Sequence, residues 1–233
     1  MLVLYKFVTE PHPCPYLPGR LAKMEYSYAA QLGAQEYEDL MNAGCRKFGM
    51  SFYRPLCEGC RECRPLRVPV ERFRPGRSQR RTWKRNQDLE VRLGPPLADA
   101  PRLELYNRYH RAQARRKGWP RHSADAEDYA FTFVENPVPS MEISLWEGRA
   151  LRGVVLADVT PTVVSAVYHY HDPDMPGRGL GTYSILQTIE FARHAGKPWV
   201  HLGYYVAGSA SMAHKARYRP HEIMDAQGVW REA

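Results

Sequence analysis

Over the last two thirds of the chain, the spacing of apolar positions changes period several times. DLEVRLG (88–94) alternates with a period of two, which predicts a strand. RLELYNRYHRAQARRKG (102–118) has helical spacing. SADAEDYAFTFVEN (123–136) predicts a second helix, with Ser123 as N-cap and acids in the first turn. MEISLWE (141–147), ALRGVVLADV (150–159) and VVSAVYHYHD (163–172) predict three strands, the first two joined by a turn at Glu147-Gly148-Arg149. The glycine-rich loop DPDMPGRGLG (172–181) follows. TYSILQTIEFARHAG (182–196) then predicts a helix closed by Gly196, and PWVHLG (198–203) a further strand.

The first third is less regular. EPHPCPYLPGR (10–20) has too many prolines for a helix or a central strand and reads as an ordered loop. AQEYEDLMNA (34–43) predicts a helix stopped by Gly44. CRKFGMSFYRP (45–55) and RVPVERF (67–73) are strand-like. Ser78 is expected to cap a short basic helix, QRRTWKRN (79–86).

The order β-α-α-β-β-β-loop-α-β from Asp88 onward resembles the GCN5-related N-acetyltransferase (GNAT) fold. The expected class is α+β, with a GNAT-like (acyl-CoA N-acyltransferase-like) half at 88–233 and a smaller α/β half at 1–87. In that family the loop after the third meander strand offers backbone N–H groups to a cofactor's phosphates. Gly177, Gly179 and Gly181 fit such a role, since glycines let the backbone approach an anion and a helix N-terminus favours it.

Composition changes the picture in two places. The net charge is +8, and residues 64–85 hold nine of the 33 basic side chains with one acid, so this segment accounts for the whole excess. A positive field that concentrated suits a polyanion such as nucleic acid. The five cysteines are an odd number, which argues against a disulfide framework. Cys57, Cys60 and Cys63 form a C-x2-C-x2-C cluster, and Cys14 is the best candidate for a fourth ligand, ahead of Cys45. A structural zinc or an iron–sulfur cluster is one reading, and reduced thiols packing a loop the other. No apolar run approaches the ~20 residues of a membrane span, and the N-terminus lacks a signal-peptide pattern, so no membrane partner and a cytoplasmic location are expected.

Several stretches together resemble one family. They are HPCPYLPGR (12–20), FYRPLCEGCRECRPLRVPV (52–70), FRPGRSQRRTWKRNQDLEV (73–91), SAVYHYHDPD (165–174), GLGTYSILQTIEFAR (179–193) and LGYYVAGSASMAHKARYRPHEI (202–223). These are similar to the bacterial aminoacyl-tRNA–protein transferases, a family that includes aspartate/glutamate leucyltransferases and is related to the eukaryotic arginyltransferases. His214 departs from the pattern, which leads one to expect a tyrosine before Lys215. The resemblance implies transfer of an amino acid from aminoacyl-tRNA to a protein's N-terminal Asp or Glu, making an N-degron. Leucyl-tRNA is the expected donor, with arginyl-tRNA the alternative.

That reaction is aminolysis of an activated ester. It needs proximity, a neutral amine and a cation near the carbonyl oxygen, with neither a Ser-His-Asp triad nor a required cofactor. The expected catalytic residues are Lys215, Tyr168 and Asp172, with Asp158 as another acid able to hold the incoming ammonium. Arg77, Arg80, Arg81, Lys84 and Arg85, with Gly179 and Gly181, are expected to hold tRNA, and Trp83 either stacks on a base or anchors its helix. Arg20, Arg54 and Arg217 are expected to bind the acceptor carboxylate. His169 and His171 share one strand face and read as strand-end residues. Two rivals remain: a CoA-dependent acetyltransferase, and a non-enzymatic zinc-knuckle protein that binds nucleic acid.

Overall fold

The computed structural model describes residues 2–118, 120 and 122–233, and in it the strand patterns collect into two main sheets of unequal size. In chain order the strands are β1 (Leu2–Val8), β2 (His12–Pro13), β3 (Leu21–Ala22), β4 (Met24–Gln31), β5 (Arg46–Phe48), β6 (Ser51–Pro55) and β7 (Arg64–Pro69). They continue with β8 (Glu90–Gly94), β9 (Ser140–Glu147), β10 (Ala150–Val159), β11 (Val163–His171), β12 (Trp199–Tyr205), β13 (Glu222–Met224) and β14 (Trp230–Glu232). The helices are α1 (Ala34–Asn42), α2 (Arg77–Arg85), α3 (Ala100–Lys117), α4 (Ala126–Phe133) and α5 (Leu180–His194).

The small sheet runs β1-β4-β6-β5, and the large mixed sheet runs β14-β13-β7-β12-β11-β10-β9-β8. β2 and β3 form a separate two-stranded ribbon. In the large sheet β11 and β12 are parallel, because α5 carries the chain back across the sheet between them; its other pairs are antiparallel. On one face Tyr183, Leu186 and Ile189 of α5 pack on Val155, Val164 and Val200. On the other, Tyr106 and Tyr109 of α3 and Tyr129 and Phe133 of α4 cover Val154, Leu156 and Tyr170. A third cluster, with Tyr37, Met41 and Phe52, joins α1 and the small sheet to Val138 and Val163. Each such side chain contributes about 1.5–3 kcal/mol by leaving water.

Several local expectations need correction. The 45–55 stretch is not one strand but a hairpin, β5 and β6, turning at Gly49 with φ +57°. The 67–73 stretch is strand only to Pro69, after which the Phe73 N–H turns back to the Pro69 carbonyl at 2.9 Å. Ser78 does not cap α2: Gly76 holds the N-cap position, and its N–H donates to Gln79 Oε1 at 2.7 Å. Nor does Ser123 cap α4. Asn107 of α3 binds both the N–H and the carbonyl of Ala124 at 2.9 Å, so the helix starts beyond it. Asp125 is the cap, accepting the Asp128 N–H at 2.9 Å. Strands β1, β4, β13 and β14 were not foreseen, and β7, from before residue 88, lies inside the large sheet.

One irregularity shapes the centre. Leu156 pairs with Tyr168 but Ala157 pairs with Ala166, so Val167 is an extra residue, a bulge in β11. Val164 and Ala166 face the α5 layer before it, and Tyr168 and Tyr170 face the α3–α4 layer after it. A bulge both re-aims side chains and bends its strand. The parallel pairing of β11 with β12 runs only from Val163↔Trp199 to Ser165↔His201. Beyond that point the strands part, leaving a wedge.

Candidate active site

The N-terminus of α5 forms one side of the wedge. Gly179 takes φ +65°, a conformation that L side chains adopt only with strain, and no side chain caps the helix above it. The Thr182 N–H bends back to the Gly179 carbonyl at 3.0 Å, while the Leu180 and Gly181 N–H groups ahead of it have no intrahelical partner and are available to an acceptor atom. A Cβ on Gly181 would stand 3.4 Å from His171 Cε1 and 3.5 Å from His169 Nε2, so this turn lies directly against the histidine face of β11. Burial depresses His169 to about 3 and His171 to about 4, so both rings are neutral near pH 7.

Helix α2 fixes the loop that leads into this turn. Asn86 Nδ2 donates to the Arg178 carbonyl at 2.9 Å, and Arg178 Nη2 donates to Asp88 at 2.7 Å. Arg85 donates to the Gly177 carbonyl. Arg85 thus holds the loop itself. Arg80 donates to the Pro75 carbonyl at 2.6 Å. Arg77, Arg81 and Lys84 are exposed, with no ion-pair partner among the described residues.

Lys215 stands at the β12 side of the wedge. Its Nζ donates to the Tyr204 carbonyl at 2.7 Å and lies 3.4 Å from where a Cβ on Gly203 would be. Burial, then the nearby Arg46 guanidinium, brings its pKa down to about 8. The Lys215 charge also acts on His169, which places β11 and Lys215 around one space.

Arg46 was not singled out from the sequence. It is 4% exposed, and Nη1 donates to the Cys45 carbonyl at 2.8 Å. Its Nε and Nη2 have no hydrogen-bond partner among the described residues, and the guanidinium sits 5.5 Å from the centre of the Tyr204 ring. The neighbouring Lys47 meets Asp158 at 3.2 Å. No carboxylate does the same for Arg46 among the described residues. The available signal was a pair of basic residues inside a strand-like pattern, but period alone does not say which cation will lack a partner.

The other expected residues lie elsewhere. Tyr168 is on the α3–α4 side, its hydroxyl 2.9 Å from His110 Nε2, and burial raises its pKa. Asp172 is 1% exposed and accepts from Arg108 at 2.6 Å, Arg152 at 2.7 Å and the Asp174 N–H at 3.0 Å. A carboxylate so engaged is poorly placed to hold an incoming ammonium. Asp158 is engaged on one oxygen: Lys47 and Ser140 Oγ, the latter at 2.7 Å, both meet Oδ1, while Oδ2 has no hydrogen-bond partner among the described residues, and the Lys47 ammonium already offsets its charge. Arg54 is paired with Glu25 at 3.1 Å. Arg217 is exposed, and its carbonyl accepts from Gln79 Nε2 at 3.2 Å. Arg20 is exposed, with Nη1 3.5 Å from Cys60 Sγ.

Cys14, Cys57, Cys60 and Cys63 do converge: all four line one cavity of about 360 Å³, with Tyr16, Tyr26 and Tyr53. Burial and the three neighbouring thiols push Cys63 up to about 12. Among the described residues no three Cys, His, Asp or Glu side chains are drawn close enough together to hold a metal ion. Cys45 is buried apart from them, and its pKa too is raised by burial.

Comparison with known proteins agrees along the chain. Residues 12–81 match the family model described as arginine-tRNA-protein transferase, N terminus, and residues 101–225 match its C-terminus counterpart. A protein from Halorhodospira halophila named aspartate/glutamate leucyltransferase is 38% identical, covering 96% of this chain and 94% of its own. One of the same name from Chromobacterium violaceum is 35% identical, covering 97% and 93%. Among solved structures, a conserved protein of unknown function from Bacteroides thetaiotaomicron aligns with a TM-score of 0.50 at 10% identity, over 85% of this chain and 79% of that one. That likeness is one of fold alone.

Proposed function

Because this chain belongs to the arginine-tRNA-protein transferase family, we propose that it transfers leucine from leucyl-tRNA to the N-terminal Asp or Glu of acceptor proteins, marking them for degradation. The observation that carries the chemistry is the wedge between β11 and β12, with the uncapped N-terminus of α5 on one side and the Lys215 ammonium on the other. The reading of 88–233 as GNAT-like is supported by the antiparallel run β8–β11, the α5 crossover and this parting of two parallel strands.

In this reading the donor's terminal phosphates meet the α5 N-terminus, and its ester carbonyl lies in the wedge. The acceptor's neutral α-amine attacks the carbonyl carbon, forming the C–N bond and leaving negative charge on oxygen. Lys215, charged below about pH 8, faces that oxygen. The C–O bond to the ribose then breaks, and the ribose hydroxyl leaves with the proton the amine gives up. Proximity alone supplies about 7–11 kcal/mol of such a barrier. Arg46 and Lys215 together favour an anionic side chain on the acceptor, since neither has a carboxylate partner among the described residues.

Leucine is preferred to arginine as the transferred residue for a reason in the ion pairs. An arginine pocket needs a buried acid to receive the guanidinium, and Asp158 and Asp172 are already matched to Lys47, Arg108 and Arg152. The test is transfer of radiolabelled Leu and Arg from charged tRNA to peptides beginning with Asp, Glu, Lys or Ala. Leucine on the Asp and Glu peptides alone is the expected result. Equal labelling of the Lys peptide would overturn the acidic-acceptor reading, and arginine transfer the leucine reading.

The four clustered thiols are proposed as a structural metal site. A donor set of four thiolates suits zinc or an iron–sulfur cluster, and a bound cation removes the mutual penalty that raises Cys63. The loops bearing them would have to close, and no step of transfer runs through the metal. Elemental analysis of anaerobically purified protein decides the matter, with a near-stoichiometric metal expected. Residence in the cytoplasm remains part of the proposal. Among the described residues no helix is long and apolar enough to cross a membrane.

A further inference from the structure

A second concavity lies away from the wedge, between α2 and α5. It encloses about 270 Å³, just under the ~300–1,000 Å³ of sites for drug-sized ligands, so it has room for one planar ring system. Phe73, Trp83 and Leu186 form its apolar floor. Trp83 is half-buried, its ring 5.5 Å from that of Tyr183, which holds it in place from behind. Arg80, Lys84 and Arg193 stand at the rim. Against these three cations the lining carries one acid, Glu190, which is paired with Arg193. An aromatic slot framed by cations on the most basic segment of the chain matches a base still attached to its phosphates.

We propose that this slot receives one unstacked nucleobase of the tRNA's unpaired 3′ end, with the flanking phosphates on Arg80, Lys84 and Arg193; this rests on the transferase reading. The placement agrees with the path that reading requires. Leu186 stands roughly 10 Å along α5 from Gly179, at ~1.5 Å per residue. That distance is short enough for the unpaired 3′ strand to run from an acceptor end held at the α5 N-terminus to the slot. Trp83 is then a base-contacting residue in addition to its anchoring contact with Tyr183.

The experiment measures binding of an uncharged acceptor-stem minihelix in which each unpaired 3′ nucleotide is replaced in turn by an abasic one. Both the full chain and Glu190→Trp are used. Glu190 is on the partly exposed rim, so a tryptophan there plugs the slot without entering the core, and a thermal melt checks that the variant folds. One abasic position is expected to cost the natural protein about ten-fold in affinity, as one stacked base does, and the Glu190→Trp variant less than two-fold. The same loss in both proteins at every position overturns the proposal. So does a variant that binds the minihelix normally but has a raised KM for the acceptor peptide, since the slot would then belong to the acceptor chain. Absence of minihelix binding also overturns it. Leucine transfer from intact charged tRNA, measured on the same preparation, separates that failure from failure of the transferase reading.

Discussion

Two groups of buried charge sit side by side in this fold and are treated differently. In the first, every charge has its opposite. Arg102 meets Glu142 at 2.5 Å, Lys47 meets Asp158, and Asp172 lies between Arg108 and Arg152. In the second, Arg46 and Lys215 share a neighbourhood with no carboxylate partner among the described residues, and burial, then the Arg46 charge, brings the Lys215 pKa down. An unmatched buried cation costs stability. The difference teaches where to look for function: matched charges hold layers together, and the unmatched pair stands beside the wedge.

The sharpest way to break this comparison is to unmatch a matched pair. Glu142→Gln leaves Arg102, itself 6% exposed, with only Asp99 at 2.6 Å. We expect a loss of about 3–5 kcal/mol in urea unfolding. Burial raises the Glu142 pKa despite Arg102, while Glu142 and Asp99 raise the Arg102 pKa against its own burial, and a buried pair of this kind is often no more stabilising than apolar residues of similar volume. Joint replacement, Arg102→Met with Glu142→Leu, should therefore be nearly neutral. If the single change costs nothing, the division into matched and unmatched charges has no energetic meaning.

Next in size is Lys215→Met, which should leave the melting temperature unchanged or higher and slow single-turnover leucine transfer about 10²–10³-fold. The pH profile gives a second reading. Lys215 keeps its charge below about pH 8 and loses it above. The acceptor α-amine, with an ordinary pKa of about 7.7–8.0, becomes nucleophilic over the same interval. The product of the two is a bell centred near pH 8, and Lys215→Met should lose the falling limb. A falling limb that survives assigns it to another group.

Arg46→Met should have a smaller effect and of a distinctive kind. Unfolding free energy should hold or rise by ~1 kcal/mol, because an unpartnered charge has gone. The kcat/KM for an Asp-initiated peptide should fall about thirty-fold, the scale of one charged hydrogen bond, with tRNA affinity unchanged. Equal loss on a peptide beginning with Ala would make Arg46 a general support of the site rather than a reader of the acceptor's charge.

The meander, the glycine loop and α5 were legible because each follows from local spacing that tertiary structure had no reason to override. β1 and β4 were missed because, Ala29 apart, their apolar residues are exposed or half-exposed on both faces: Leu2, Leu4 and Tyr5 are open to solvent, and Phe7 stacks on Tyr26 at 5.2 Å. The basic segment was legible as charge, but its division of labour was not. Arg85 turns inward to the Gly177 carbonyl while Arg81 stays free, and that depends on the loop 92 residues away. Asp172 looked catalytic as an acid able to hold the incoming ammonium; what occupies it, Arg108 and Arg152, comes from α3 and β10. For Arg46 the pair of basic residues in a strand-like pattern was visible, but the absence of a partner exists only once the chain is folded.

The smallest expected effect sharpens the comparison from outside, with a cation that is unmatched but exposed. Arg81 is on the solvent face of α2, one turn from the slot's Lys84. Being in water, it costs the fold nothing, so Arg81→Ala should leave both the melt and the circular dichroism spectrum unchanged. Its role in holding phosphate should show only in binding: affinity for charged tRNA about ten-fold weaker, with a slope of log affinity against log salt shallower by about one unit. The acceptor peptide's KM should stay put, because Arg46 and Lys215, not α2, face the acceptor. Suppose instead that tRNA affinity and its salt slope are intact while selection of acidic N-termini is lost. Arg81 is then the acceptor's ligand, the phosphate path runs along the Gly177–Gly181 loop without it, and exposure no longer separates the cations that hold tRNA from those that read the acceptor.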